Sequence, residues 1–311
     1  MRFKTSVMLG CFLVLVFFLP QAGHAEELAE LSKQDVEGVS SRLKSIKYEL
    51  EWTYFEPSGQ KASFAFRFWS QGEKWRAERD DYKDGKASAT YVQSFDGQNY
   101  QFLNYSTGQL QFTSKIYPKS PAFPSSFYDN APLQLLGFLN YVDRTVLPSN
   151  LKAIPIKEGL DPARWAEFFK VANKVTDTAG EAGTGASQFR LENAQPDKEF
   201  STFSVITFGQ NSKIFPSSVK KFFNNTGPRS MEVDVSEYKD SGLPGLSIPS
   251  KMLFKWYTPR KGNDLVYSAE VSLKALEVNP DIPDEKFTVD LNLASEVWDM
   301  DNRVTLPTGK N

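Results

Sequence analysis

The sequence predicts a mainly β protein, an antiparallel sheet accompanied by a few helices. Three observations carry this. Residues 46–54 alternate apolar and polar without a break. Two long stretches, before residue 117 and after residue 186, divide into short runs separated by tight-turn residues. Only three segments show helical spacing of apolar residues.

The elements follow in order. Ser32 and Glu37, with apolar Val36, Val39 and Leu43, predict a helix over about 32–44, with Gln34 and Asp35 in its first turn. In Ile46-Lys-Tyr48-Glu-Leu50-Glu-Trp52-Thr-Tyr54 every even position is apolar, and every odd one through Thr53 is polar. A strand with one dry and one wet face has this pattern. Pro57-Ser58-Gly59 turns the chain into Ser63–Trp69, where Phe64, Phe66 and Phe68 alternate again, and Gln71-Gly72-Glu73 leads into 74–78. Asp84-Gly85 and Asp96-Gly97 are hairpin dipeptides, because both residue types tolerate the positive φ of tight turns. They place strands at about 87–95, 98–104 and 109–116, an up-and-down meander.

The middle of the chain differs. Pro118, Pro121 and Pro124 break the alternation. Leu133, Leu135, Leu136, Leu139 and Val142 fit a short helix opened by Asp129 or Asn130, with Pro132 in the first turn. A further helix is capped by Asp161, with Pro162 at its first position and Trp165, Phe168, Phe169 and Ala172 at helical spacing. The glycine-rich run 179–186 reverses the order of a dinucleotide fingerprint and reads as a loop. The meander then resumes at 187–193, 200–208, 213–223, 230–239, 249–257 and 265–278. Met252, Phe254 and Trp256 share one face; Tyr267, Ala269, Val271 and Leu273 share another.

Composition narrows the chemistry. The 311 residues contain one His and one Cys, and both His24 and Cys11 fall in residues 1–25. That segment reads as a removable signal peptide: basic Arg2 and Lys4, an apolar run Val7–Leu19, then Gly23-His24-Ala25 before Glu26. The apolar run is shorter than the roughly 20 residues of a transmembrane helix. Leu9-Gly10-Cys11 resembles the end of a lipobox, but most of the apolar run follows the Cys instead of preceding it. The expected mature chain, 26–311, therefore has neither thiol nor imidazole. This excludes disulfides, thiolate or imidazole metal sites, and Cys- or His-dependent nucleophilic catalysis. Losing Arg2 and Lys4 takes the 36 basic residues to 34 against 38 acidic, a net charge near −4, which is no footprint for nucleic acid. No cofactor and no metal are expected, and Arg303 spoils the calcium-loop pattern begun by Asp299 and Asp301.

Two constellations remain. Paired acids (Asp80-Asp81, Asp234 with Glu237, Asp281 with Asp284) could in principle serve a carboxylate hydrolase, but adjacent acids at a hairpin end read as solvated turn residues. The aromatic stripes are stronger. Tyr48, Leu50, Trp52 and Tyr54, with Phe64, Phe66 and Phe68 on the next strand, form one broad apolar face. That face would be a plain core in a flat sheet, or the lining of an acyl-binding cavity in a strongly curved one.

Four segments resemble the bacterial periplasmic lipoprotein-carrier superfamily, LolA/LolB-like and including outer-membrane lipoprotein-sorting proteins. They are the helix leading into Ile46–Tyr54, the hairpin Ser94-Phe95-Asp96-Gly97-Gln98-Asn99-Tyr100, the segment Tyr238–Pro249, and the closing Asn279-Pro280-Asp281-Ile282-Pro283-Asp284-Glu285-Lys286-Phe287. The resemblance implies a single domain over 26–311, with a helical insertion at about 117–190. It also implies one highly curved antiparallel sheet forming an incomplete barrel, with helices covering its concave face. It implies a non-enzymatic periplasmic protein that binds or carries an acyl chain, lipid or acylated lipoprotein. Tyr48, Leu50, Trp52, Tyr54, Phe64, Phe66, Phe68, Met252, Phe254 and Trp256 would line the cavity. The alternative is an envelope-stress sensor or scaffold that binds envelope proteins through the same fold.

Overall fold

The computed structural model describes residues 34–59, 61–83, 86–104, 110–114, 173–174, 187–192, 202–209, 214–223, 229–258, 264–294, 296–299 and 302–306. Residues 34–40 form a helix, α1. Fifteen strands follow: β1 (Ser45–Phe55), β2 (Lys61–Gln71), β3 (Lys74–Lys83), β4 (Lys86–Phe95), β5 (Tyr100–Asn104), β6 (Leu110–Ser114), β7 (Asn173–Lys174), β8 (Ser187–Glu192), β9 (Thr202–Phe208), β10 (Ser218–Phe223), β11 (Arg229–Asp240), β12 (Ser247–Thr258), β13 (Asp264–Val278), β14 (Val297–Asp299) and β15 (Val304–Leu306). All belong to one open sheet, ordered β15-β14-β6-β5-β4-β3-β2-β1-β13-β12-β11-β10-β9-β8-β7. The mainly β expectation and the two meanders hold.

β1 is hydrogen-bonded on both sides, to β2 and to β13, and joins the two meanders. Asn279 fastens this junction. It takes a left-handed φ of 56°, and its side-chain oxygen accepts from the backbone N–H of Lys44 at 2.7 Å and of Ser45 at 3.3 Å. Its amide donates to the Arg42 carbonyl at 3.0 Å. Asn is among the few non-glycine residues that visit this backbone region. The Asp96-Gly97 hairpin forms as expected: Gly97 has φ 99°, and the Asp96 carboxylate accepts from the backbone N–H groups of Gln98 and Asn99.

The two faces of the sheet have different cover. On one, Val36 and Val39 of α1 join a continuous buried cluster with residues of β1, β2, β3 and β9–β13. On the other, the chain after β13 returns as a strap. Ile282 and Phe287 bury against Trp69, and Val289, Ala294 and Val297 bury against Val92 and Leu103. A charged network fixes this strap. Glu78, 9 % exposed, accepts from Arg67 at 2.9 Å, Arg76 at 2.7 Å and Lys286 at 3.3 Å. Arg76 also donates to the Thr288 carbonyl at 2.8 Å, and the Lys286 ammonium lies 3.7 Å from the Trp69 ring centroid.

Three expectations change. The strand expected over 213–223 begins only at Ser218; Ile214 and Phe215 are buried loop residues instead, just ahead of Pro216, which cannot donate to a ladder. The sheet is not wholly antiparallel, because β14 pairs parallel to β6. The predicted N-terminal helix ends earlier than expected, at residue 40, where Arg42 donates back to the Gly38 carbonyl at 2.5 Å. The helices expected near 133–142 and 161–172 lie outside the described residues, so α1 is the one expected helix seen on this face.

The Glu78 network sets a pH dependence. Burial opposes the carboxylate, but Arg76, Lys286 and the Arg67 hydrogen bond outweigh it and hold Glu78 below its ordinary 4.5. A lowered folded-state value stabilises above the unfolded value, and the gain fades as pH falls through the folded one. Glu78→Gln should therefore destabilise the protein at pH 7 in urea denaturation. The gap from wild type should narrow as pH drops below 4.5. A gap that stays constant into the acid limb would show that the network contributes nothing through its charge.

Candidate functional site

Pairing register places every candidate residue on one face. Tyr48 sits opposite Phe68 and Leu276, Leu50 opposite Phe66 and Leu273, and Trp52 opposite Phe64 and Val271. From β13 the face continues to β12: Val271 opposes Met252, Ala269 opposes Phe254, and Tyr267 opposes Trp256. The two groups that the sequence separates, 252–256 and 267–273, thus merge into a single surface. Residues directly opposite in a ladder point to the same side.

The face is graded along the strands. Tyr48, Leu50, Trp52, Phe66, Phe68, Met252 and Phe254 are buried. Tyr54, Phe64, Trp256 and Tyr267 are half-buried. The rings interlock. Trp52 lies 4.9 Å from Phe254 by centroids, Tyr54 meets Phe64 edge-on at 5.4 Å, and Trp256 stacks on Tyr267 at 4.4 Å. Such tilted and offset pairs are favourable beyond the area they bury.

Arg79 completes the half-buried end. It lies opposite Phe66 in register, and its guanidinium carbon is 4.2 Å from the Phe64 ring centroid and 5.5 Å from that of Tyr91. Two of its nitrogens donate to Asp81, at 2.5 and 3.0 Å. The sequence reading misses Arg79 and Tyr91, and takes Asp81 for a turn acid. Tyr54 is pushed well above the usual phenol value by burial, with the neighbouring Tyr267 phenol adding and Arg79 and the Trp52 indole opposing. Burial raises Tyr267 as well. These phenols stay neutral at physiological pH, so the face is aromatic and apolar, with one compensated ion pair.

The paired acids do not converge. Asp80 and Asp81 are not solvated turn residues; both lie within β3 on opposite faces. Asp80 pairs with Arg67 at 2.6 Å and Asp81 with Arg79. Glu237 pairs with Lys251 at 2.6 Å, Asp234 accepts from Ser218 at 3.0 Å, and Asp284 pairs with Lys74 at 2.7 Å. Asp299 serves a turn, accepting from the Asn302 amide at 2.7 Å. Among the described residues no group of three or more acidic, His or Cys side chains could hold a metal ion. A cavity of about 480 Å³ lined by Ser40, Ser41, Lys44, Ser45 and Ser70 lies at the start of β1, away from the half-buried aromatics.

No family model and no curated protein matches the chain. Among solved structures it is similar to a DUF1329 family protein from Desulfovibrio piger, at 10% identity and TM-score 0.47 over 86% of this chain and 96% of that one. It is similar to a LolA superfamily protein from Nitrosomonas europaea, at 9% identity and TM-score 0.41 over 83% and 98%. It is also similar to an outer membrane lipoprotein-sorting protein domain from Vibrio parahaemolyticus, at 12% identity and TM-score 0.42 over 84% and 97%.

The grading yields a stability prediction. Phe254→Ala, at the fully buried end, should cost about 3–5 kcal/mol. Phe64→Ala should cost roughly half as much, because stabilisation scales with the area removed from water. Urea unfolding of the two variants checks the order; equal costs would mean that the face is sealed along its whole length.

Proposed function

We propose that the protein is an exported, periplasmic, non-enzymatic binder of an acyl chain, lipid or acylated lipoprotein, which it holds on this aromatic face. One observation carries the reading. The apolar surface does not stop inside the molecule but runs from the buried Tyr48–Phe68 pair to half-buried Tyr54, Phe64, Trp256 and Tyr267. A ligand surface must reach solvent, and this face does so through Tyr54, Phe64, Trp256 and Tyr267. Residues 1–25 read as an export signal, which supports the compartment. The ion pairs that occupy Asp80, Asp81, Glu237 and Asp284 weigh against a carboxylate hydrolase. Tyr54 and Trp256 act as the threshold of the site, and Trp52, Phe66 and Phe254 as its depth.

Titration of the purified protein with a fluorescent fatty-acyl probe tests this. Wild type should bind the probe, and its stability should rise by about 2.7 kcal/mol at a free ligand concentration about 100-fold above Kd. Trp256→Ala should weaken binding more than it lowers the melting temperature. A wild type that binds no acyl probe contradicts the proposal and returns the aromatics to an ordinary core, with the protein-partner alternative in front.

A further inference from the structure

The cavity at the start of β1 is walled differently from the aromatic face. It encloses about 480 Å³ between the end of α1, the first residues of β1 and the β2–β3 turn, a size ordinary for small-molecule sites. Ser40, Ser41, Ser45 and Ser70 share its wall with Leu43 and with the charged residue Lys44. Ser70 is 2 % exposed, and its hydroxyl closes no hydrogen bond among the described residues. Ser41 and Ser45 donate to the Gly38 and Pro280 carbonyls, at 3.3 and 2.5 Å. That leaves the protons of Ser40 and Ser70 and the Lys44 ammonium for a ligand. Lys44 makes no ion pair among the described residues, whereas nearby Lys47 and Lys74 are matched by Glu277 and Asp284. Arg42 offsets the negative end of α1, donating to the Gly38 and Pro244 carbonyls at 2.5 and 2.7 Å.

We infer that this cavity binds the phosphate group of a small hydroxylated ester, with the Lys44 ammonium and the Ser40 and Ser70 hydroxyls donating to its oxygens. The site is independent of acyl binding on the aromatic face. A single ammonium acts as a point charge, which suits a tetrahedral phosphate; a planar carboxylate is better met by the fork of an arginine. The volume exceeds what a bare phosphate fills. The lone pairs of Ser41 and Ser45 can accept from hydroxyls on the rest of the ligand. A hydrocarbon would leave the charge and both free hydroxyls unpaired.

Calorimetric titration with glycerol phosphate tests this, with glycerol and inorganic phosphate as references. Wild type should bind glycerol phosphate saturably, bind inorganic phosphate more weakly and ignore glycerol. Lys44→Met and Ser70→Ala should each weaken the ester by about tenfold or more, the loss of one hydrogen bond to a charged group. Neither change removes a side-chain hydrogen bond or ion pair among the described residues, so both melting temperatures without ligand should stay close to wild type. Phosphatidylcholine vesicles containing phosphatidic acid present the same group as a lipid headgroup. Capture of wild type but not of Lys44→Met supports the site and assigns it to a headgroup; solution binding without such capture supports it and assigns it to a soluble ester. Binding to neither form overturns the inference, as does binding that survives both substitutions or inorganic phosphate that binds as tightly as the ester. None of these outcomes bears on the acyl-probe titration.

Discussion

The strict alternation of β1 is the constraint on which the rest depends. Because β1 is paired on both edges, its even-numbered row sets the side for Phe64, Phe66 and Phe68 on β2 and for Tyr267, Ala269, Val271 and Leu273 on β13. Through β13 it also sets the side for Met252, Phe254 and Trp256. A slip of one residue would turn Tyr48, Leu50 and Trp52 outward and bring Lys47, Glu49 and Glu51 in. The Asn279 clasp, which ties the Arg42–Ser45 backbone to the end of β13, holds that register at the point where the two meanders meet.

From this seam the sheet divides its labour. The face that carries the charges Arg67, Arg76 and Glu78 is closed by the strap after β13, which supplies Ile282, Phe287 and Lys286. The other face gathers the aromatics, and at the ends of β1, β12 and β13 it shades into solvent. The ionic chemistry is therefore spent on structure. What the second face can offer a ligand is contact area, ring geometry and a few buried donors. That inventory suits a binder of apolar chains better than a catalyst.

Much of this was legible because it is local. The β1 and β2 stripes and the Asp96-Gly97 hairpin announce themselves through alternation and turn chemistry. What was not legible depends on pairing between distant residues. Nothing in Met252-x-Phe254-x-Trp256 says that it will lie beside Tyr267 and Ala269 on the same face as Trp52; only the β12–β13 register does. Arg79 looks like one charge in a polar run, Lys83 included, until β2 places Phe64 beneath it. Three-residue β14 is too short for any periodicity, and its parallel partner β6 lies far away in sequence. Ile214 and Phe215 read as strand because buried loop residues are as apolar as buried strand residues.

The central claim is that an acyl chain occupies the surface between Trp52 and Trp256. Fluorescence quenching by a chain brominated at its middle tests this most directly, since bromine quenches only indoles that it touches. The account predicts strong quenching of the wild-type protein, relieved by the unbrominated chain and largely absent from a Trp52→Phe, Trp256→Phe double variant that still binds the chain. Quenching that persists undiminished in the double variant, or that never appears in the wild type, would contradict it.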